Sequence, residues 1–232
     1  MKSQHQVVLS IGTNQGDRLK NIESCLQLIH HEVATVVRVS KLYETPSWGF
    51  ESDAFYNCAI LVHTFDSAAT ILSKLLKIEQ QMGRLKAETP GYQSRVIDID
   101  IVAFDNEIVN TEQLQIPHPL MQDRIFVLKP MLDLNLEWIH PVLNQTVAEL
   151  LLATNDKSDC VVVKSIDSPL QNIALEQFNY VAFEGNIGAG KTTLATKIAE
   201  DFNAKSVLER FADNPFLPKF YKDQNRYAFP LE

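Results

Sequence analysis

The sequence predicts an α+β sandwich in ferredoxin-like βαββαβ order, followed by an incomplete P-loop α/β segment. Three observations predict it. Apolar runs of strand length and helix length follow one another in that order over residues 6–102. The run Arg95-Val-Ile-Asp98-Ile-Asp100-Ile101-Val102 sets two carboxylates at i and i+2 among β-branched residues. Near the far end, Gly185-Asn-Ile-Gly-Ala-Gly190-Lys191-Thr192 fits the phosphate-loop pattern G-x-x-x-x-G-K-[ST].

The elements follow in chain order. Gln6 to Ile11 reads as a strand ending at Gly12-Thr13-Asn14. Asp17 is placed to cap a helix to about His31, with Leu19, Ile22, Leu26 and Ile29 at helical spacing. His30 and His31 read as exposed and inert. Thr35 to Tyr43 alternates as one strand and stops at Thr45-Pro46; after the loop 47–53, Phe55 to Thr64 is the next. Ser67 caps a helix to about Met82, with Ile71, Leu72, Leu75 and Ile78 on one side, and Gly83 ends it. A polar loop, Arg84 to Ser94, leads to the aspartate strand, which turns at Asp105-Asn106 into a short strand Glu107–Val109. Arg124 to Leu132 and Val147 to Leu152 look helical.

Residues 155–172 mix charge, Ser and Pro around Val161-Val162-Val163. They place a first domain at 1–164, a linker at 165–175 and a second segment at 176–232. In that segment Phe178 to Phe183 reads as a strand and Thr192 to about Phe202 as a helix.

Composition narrows the function. Acidic residues outnumber basic ones 29 to 21, for a net charge of −8. Broad binding to nucleic acid or an anionic membrane wants the opposite balance. Against that background the basic cluster from Lys77 to Arg95 stands out. Cys25, Cys58 and Cys160 lack metal-ligand spacing and read as thiols in a reducing compartment. The N-terminus has no apolar signal core, and no apolar run is long enough to span a bilayer, so a cytoplasmic location is expected. Nothing in the sequence sets an oligomeric state.

Side chains on a strand alternate faces, so Asp98 and Asp100 point the same way while Ile97, Ile99 and Ile101 line the other face. Adjacent carboxylates need a neutralising partner, and Mg²⁺ takes one or two carboxylates together with substrate phosphates. Arg84, Lys86, Arg95, His118 and Arg124 supply the cationic and imidazole groups of a polyphosphate site. A D-x-D on a strand is also compatible with a solvated face. Arg84 could equally serve a helix C-terminus, and His118 a surface turn. Phe55 and Tyr43 could be core, and Phe126 core or pocket.

The ordered motifs Gly12-Thr13-Asn14, Tyr43-Glu44-Thr45-Pro46, Phe55-Tyr56-Asn57, Ile78-Glu79-Gln80-Gln81-Met82-Gly83-Arg84, Arg95-Val-Ile-Asp98-Ile-Asp100 and Pro117-His118 resemble those of the 6-hydroxymethyl-7,8-dihydropterin pyrophosphokinases. The resemblance covers about residues 5–160. It implies pyrophosphoryl transfer from ATP to the pterin hydroxymethyl oxygen, with release of AMP, in folate biosynthesis. Asp98 and Asp100 would hold two Mg²⁺ with ATP. Arg84 and Arg95 would steady the phosphates, and Glu79, Lys86, His118 and Arg124 would serve the nucleotide. Phe55 and Phe126 would stack on the pterin ring, Asn57 would meet its amide-like edge, and Thr45, Pro46 and Trp48 would wall the pocket. Lys86 stands where that family often has a second arginine, Gln93-Ser94 replaces a common Gly-Pro, and Pro119 replaces a tyrosine of some members.

In the second segment, Gly185, Gly190, Lys191 and Thr192 are the phosphate-loop positions. With Leu208-Glu209-Arg210-Phe211 and Asp213-Asn214-Pro215-Phe216-Leu217 they resemble the bacterial deoxynucleoside kinases, which makes Glu209 the matching general base. The strands and lid of such a kinase are not supplied by residue 232, so a truncated module, inactive alone and drawn from a fusion, is expected. Two other readings stand beside the pyrophosphokinase. One is a deoxynucleoside kinase with an accessory N-terminal half, and the other a non-catalytic nucleotide binder.

Overall fold

The computed structural model describes residues 3–47, 52–84, 94–169, 179–185, 189–202, 204–208 and 222. The chain divides into two units, 1–173 and 174–232. In the first, β1 (His5–Thr13) leads to α1 (Arg18–Glu32), β2 (Thr35–Val39), β3 (Leu42–Thr45), β4 (Phe55–Thr64), α2 (Ala68–Gln81) and β5 (Asp98–Phe104). A two-stranded ribbon follows, β6 (Val109–Asn110) with β7 (Gln115–Ile116). Then come a single 3₁₀ turn at Met121–Asp123, α3 (Ile125–Asp133), α4 (Val147–Ala153) and β8 (Val161–Lys164).

Local signals place the helices. The Asp17 carboxylate accepts from the Lys20 N–H at 3.1 Å and starts α1. The Ser67 hydroxyl accepts from Thr70 and starts α2. Gly83, at φ +96°, takes the left-handed turn just beyond that helix.

The main sheet has six strands in the order β5-β1-β4-β3-β8, with β2 also pairing β4, and every pairing is antiparallel. Its first face carries Val7, Leu9, Ile11, Cys58, Ile60, Val62, Ile99 and Ile101. Against these pack Ile22, Cys25, Leu26 and Ile29 of α1 and Ile71, Leu75 and Ile78 of α2. The second face carries Val8, Ala59, Leu61 and Val102, covered by Val127, Leu128 and Met131 of α3 and Val147 and Leu150 of α4. Each of these large apolar side chains contributes about 1.5–3 kcal/mol when fully buried.

Several expectations are corrected. The strand expected at 35–43 is two strands. Ser40 interrupts it, its hydroxyl accepting from the Ala59 N–H at 2.9 Å in place of a ladder carbonyl. The short strand expected at 107–109 is shifted to Val109–Asn110, because Asp105 at φ +45° and the Glu107 N–H bond to Phe104 C=O make residues 104–107 a tight turn. The valine run 161–163 forms β8 against β3. His30 is not inert, since its Nδ1 accepts from the Val36 N–H at 3.2 Å and fixes the entry to β2. All three cysteines are buried free thiols, and burial pushes that of Cys58 up to about 12.

In the second unit, α5 (Lys191–Asp201) follows Gly190, which sits at φ +80° where only glycine is unstrained. Residues 179–185 pair with no strand among the described residues, so the strand expected there is absent from them; extended backbone becomes a strand only when a neighbour takes its hydrogen bonds. Among the described residues, no helix is long and apolar enough to cross a membrane.

Candidate active site

The α3/α4 layer covers one end of the second sheet face. At the other end the register sets polar residues side by side. Gly12 pairs with Asn57 of β4 on one side and with Asp98 of β5 on the other, and Ser10 pairs with Asp100. Tyr43 pairs with Asn57, and Thr45 with Phe55. Directly paired residues of an antiparallel sheet share a face. Asp98, Asp100, Asn57, Phe55 and Thr45 therefore project from one surface. Gly12 between them, with no side chain, leaves a slot between the β4 and β5 backbones, which stand two strand spacings or about 10 Å apart, and Asn57 Oδ1 leans over it.

Asp98 is the point of convergence. Its Oδ1 accepts from Arg95 Nη1 at 2.6 Å and lies 2.9 Å from Arg84 Nη1. Arg84 also pairs with Glu79. Glu79 is only 2 % exposed, and its Oε1 accepts from the Ile99 N–H at 2.8 Å. Because β5 is the edge of the sheet, this carboxylate takes the place of a missing strand between the two aspartates. Burial raises the Glu79 pKa, and the Arg84 charge opposes the rise. The Arg84 N–H bonds Glu79 C=O at 2.9 Å, so Arg84 closes the helix end with its backbone and meets Asp98 with its side chain.

Asp100 has a different environment. Burial first, and the neighbouring Asp98 charge second, push its pKa up to about 7, with Arg124 opposing. Arg124 is 6 % exposed at the start of α3, its guanidinium 5.6 Å from the Phe126 ring. His118 is tied to the strand edge by its N–H to Val102 C=O at 3.0 Å. Its Nδ1 accepts from the Leu120 N–H, and burial and the Arg124 charge lower its pKa, so the ring is neutral at pH 7. A buried carboxyl held far above its ordinary range, next to a second carboxylate, is short of positive charge. Two hard oxygen donors on one face suit a divalent cation such as Mg²⁺.

On the apolar side of the slot, Asn57 is 4 % exposed and donates from Nδ2 to Thr45 Oγ1 at 2.8 Å. Phe55 is half-buried. Phe126 is half-buried on α3 and packs against the second core cluster. Pro46 is exposed at the end of β3. Trp48, Lys86 and Glu209 lie outside the described residues. In the second unit Thr192 opens α5 beside Lys191, whose ammonium bonds Gly185 C=O.

Two polar residues have no role assigned from sequence, Asn14 beside the site and Arg18 on the opposite sheet face, which Tyr56 and Glu44 share. Arg18 donates to Ala54 C=O at 2.7 Å, lies 3.1 Å from Glu44 and covers the Tyr56 ring at 3.9 Å. Asn14 joins the chain at 52–53 to the chain at 94–95. Asn14 lies between β1 and α1 and Arg18 opens α1, places where a polar residue carries no periodic signal. A separate group, His5, Asp105 and Glu107, has its ligand atoms within 4.8 Å. Both Asp105 oxygens already accept there, from His5 and from the Gln6 N–H, so the group clasps the strand ends.

A carboxylate pair on a strand, ringed by guanidinium groups and open beside an amide and an aromatic ring, is the donor set of a phosphate-handling site. The chain belongs to the 7,8-dihydro-6-hydroxymethylpterin-pyrophosphokinase family, which residues 8–136 match. Residues 181–232 match deoxynucleoside kinase. The 2-amino-4-hydroxy-6-hydroxymethyldihydropteridine pyrophosphokinase of Aquifex aeolicus is 31 % identical over 159 residues, 68 % of this chain and 98 % of that protein. The folic acid synthesis protein fol1 of Pneumocystis carinii is 38 % identical over 143 residues, 61 % of this chain. The chain spans only 19 % of the length of that relative and 22 % of the Dictyostelium discoideum protein of the same description. A Plasmodium falciparum HPPK-DHPS crystal structure shares the fold at a TM-score of 0.53 and 18 % identity, over 66 % of this chain and 43 % of that one.

Proposed function

We propose that the first domain, residues 1–164, is a 2-amino-4-hydroxy-6-hydroxymethyldihydropteridine diphosphokinase. It transfers the terminal pyrophosphoryl group of ATP to 6-hydroxymethyl-7,8-dihydropterin, releasing AMP, in folate biosynthesis. The observation that carries the reading is the shared surface of Asp98, Asp100 and Asn57, with Arg84 and Arg95 converging on Asp98. The strand order β5-β1-β4-β3, with α1 and α2 on one face, supports the ferredoxin-like sandwich.

The pterin ring takes the slot beside Gly12, with Asn57 offering an acceptor to its donor edge and Phe55 and Phe126 its aromatic faces. Thr45 orients Asn57 by occupying one of its amide protons. Asp98 and Asp100 would hold Mg²⁺, two ions with ATP, and the metal would supply charge neutralisation at the phosphate oxygens. Arg84 and Arg95, half-buried beside Asp98, turn forked donors to phosphate, with Lys86 adding charge. Arg124 and neutral His118 address the rest of the nucleotide, and Glu79 holds Arg84 and the strand in place. The hydroxymethyl oxygen attacks the β-phosphorus. The bond from that phosphorus to the α–β bridging oxygen breaks, AMP leaves with the electron pair, and the hydroxyl proton passes to solvent. No protein base is required, because the phosphoryl transition state is loose and positioning dominates.

Following β- and γ-phosphorus by ³¹P NMR tests this. Both signals move together onto the pterin. Transfer of the γ-phosphorus alone would overturn the reading.

Gly12 gives a further prediction. A Cβ there would lie 3.0 Å from Asn57 Oδ1 and 3.8 Å from Phe55. Asn57 is tethered to Thr45 and yields only by losing that bond. Gly12→Ala is expected to raise the pterin KM about tenfold, one good hydrogen bond's worth to a buried group, with the ATP KM changed less than about twofold. Steady-state kinetics in each substrate check it.

Residues 181–232 match deoxynucleoside kinase, and we read Gly185, Gly190, Lys191 and Thr192 as its phosphate loop and Glu209 as its base, by resemblance to the bacterial enzymes. The contribution read from these residues is phosphate binding by the loop ahead of α5.

A further inference from the structure

The two halves of the site are carried by different stretches of chain. Residues 52–54 lead into β4 with Phe55 and Asn57, and residues 94–97 lead into β5 with Asp98 and Asp100. One side chain bonds both. Asn14 follows the last residue of β1 and is 3 % exposed. Its Nδ2 donates to Ser52 Oγ at 3.0 Å, to Ser94 Oγ at 3.1 Å and to Asp53 C=O at 3.5 Å. Its Oδ1 accepts from the Arg95 N–H at 2.7 Å, and its own N–H donates to Arg95 C=O at 3.1 Å.

Neighbouring contacts hold the arginine-bearing stretch alone. Thr13 Oγ1 donates to Val96 C=O at 2.5 Å, and Asn21 Nδ2 reaches the same carbonyl at 3.2 Å. Fixing that stretch to the end of β1 therefore does not depend on Asn14. What Asn14 adds is the link from there to Ser52 and Asp53. A buried amide with its donors and acceptor all engaged is held in one orientation, so a shift at either end is felt at the other.

The geometry points to Asn14 as a positioning residue that couples the pterin side of the site to the phosphate side. Occupancy of one substrate sets the affinity for the other through this amide. The inference rests on the pyrophosphokinase reading. Coupling between two sites is reciprocal and is read as a fold-change in one affinity caused by the other ligand.

The test uses the full chain, Mg²⁺, α,β-methylene-ATP, which cannot release AMP, and the fluorescent oxidised form 6-hydroxymethylpterin. The pterin Kd is measured with and without the nucleotide analogue. In the parent the analogue tightens the pterin by about tenfold or more, and in Asn14→Ala by less than about threefold, each ligand alone binding close to its parental affinity. The double variant Ser52→Ala/Ser94→Ala cuts two arms of the link at less buried positions and shows the same loss of coupling should Asn14→Ala fold poorly. Asn14→Asp keeps the Arg95 bond and is expected to retain part of the coupling. Full coupling in both Asn14→Ala and the double variant would overturn the inference. So would loss of both single affinities in step with thermal stability, which marks a merely structural role. A parent that binds the analogue but never the pterin would instead overturn the pyrophosphokinase reading, and this inference with it.

Discussion

Replacing Asp100 by asparagine is expected to abolish pyrophosphoryl transfer and, at the same time, to stabilise the metal-free protein above neutral pH. The loss follows from removing one of two anionic oxygen donors from the proposed cation site, and is expected to reach about a thousandfold or more in kcat. The gain follows from linkage. The Asp100 carboxyl titrates at about 7 in the folded chain because burial and Asp98 disfavour its charge, against about 3.9 when unfolded. Between those values the folded state holds a proton that the unfolded state has lost. Stability from this group therefore falls as pH rises through the window, and the full penalty applies above pH 7. Asparagine never ionises and escapes it. Melting curves without metal should show the Asp100→Asn and parental chains alike near pH 4, and the variant melting several degrees higher at pH 8. Adding Mg²⁺ and α,β-methylene-ATP should raise the parent and leave the variant unmoved. Parental turnover in Asp100→Asn, or a lower melting point at pH 8, would contradict the assignment.

Arg95→Ala is expected to lower kcat by about a hundredfold to a thousandfold, the range for removing one preorganised donor to developing charge. The substitution is clean in two respects. The Arg95 backbone still bonds Asn14, and Asp98 still faces Arg84. The loss thus reports the guanidinium and not the collapse of its segment. Arg95→Lys should recover less than about tenfold, since an ammonium is a point charge and cannot fork onto two oxygens. Single-turnover kinetics with saturating ATP separate this from weaker binding. A rate within threefold of the parent would show that Arg95 serves Asp98 alone.

The sheet and its faces were largely legible because their signals are local. Asp17 and Ser67 cap helices by contacts three residues away. The aspartates share a face because strand period is two. What was not legible depends on pairing partners distant in sequence. Ser40 looks like an ordinary strand residue until Ala59 lies opposite it. Gly12 reads as a strand end, and only the register shows that it separates Asn57 from Asp98. Asn14 reads as a turn residue, and its partners lie 38 to 81 positions away. The valine run 161–163 falls at the end of the first domain without a strand assignment from sequence, because an edge strand exposed along its length shows no alternation. Of the strand expected at 178–183, the described residues 179–183 form no ladder, since apolar composition makes one only where a neighbouring strand takes its hydrogen bonds.

The measurement that bears most directly on the central claim is the nucleotide product of the full chain. Purified protein is given ATP and Mg²⁺ with either 6-hydroxymethyl-7,8-dihydropterin or a deoxynucleoside, and AMP and ADP are resolved by chromatography. A pyrophosphokinase forms AMP in step with pterin consumed, forms no ADP with the deoxynucleoside, and keeps its full rate in Lys191→Ala. Deoxynucleoside-dependent ADP without pterin-dependent AMP would contradict it and assign the chemistry to the phosphate loop of the second unit.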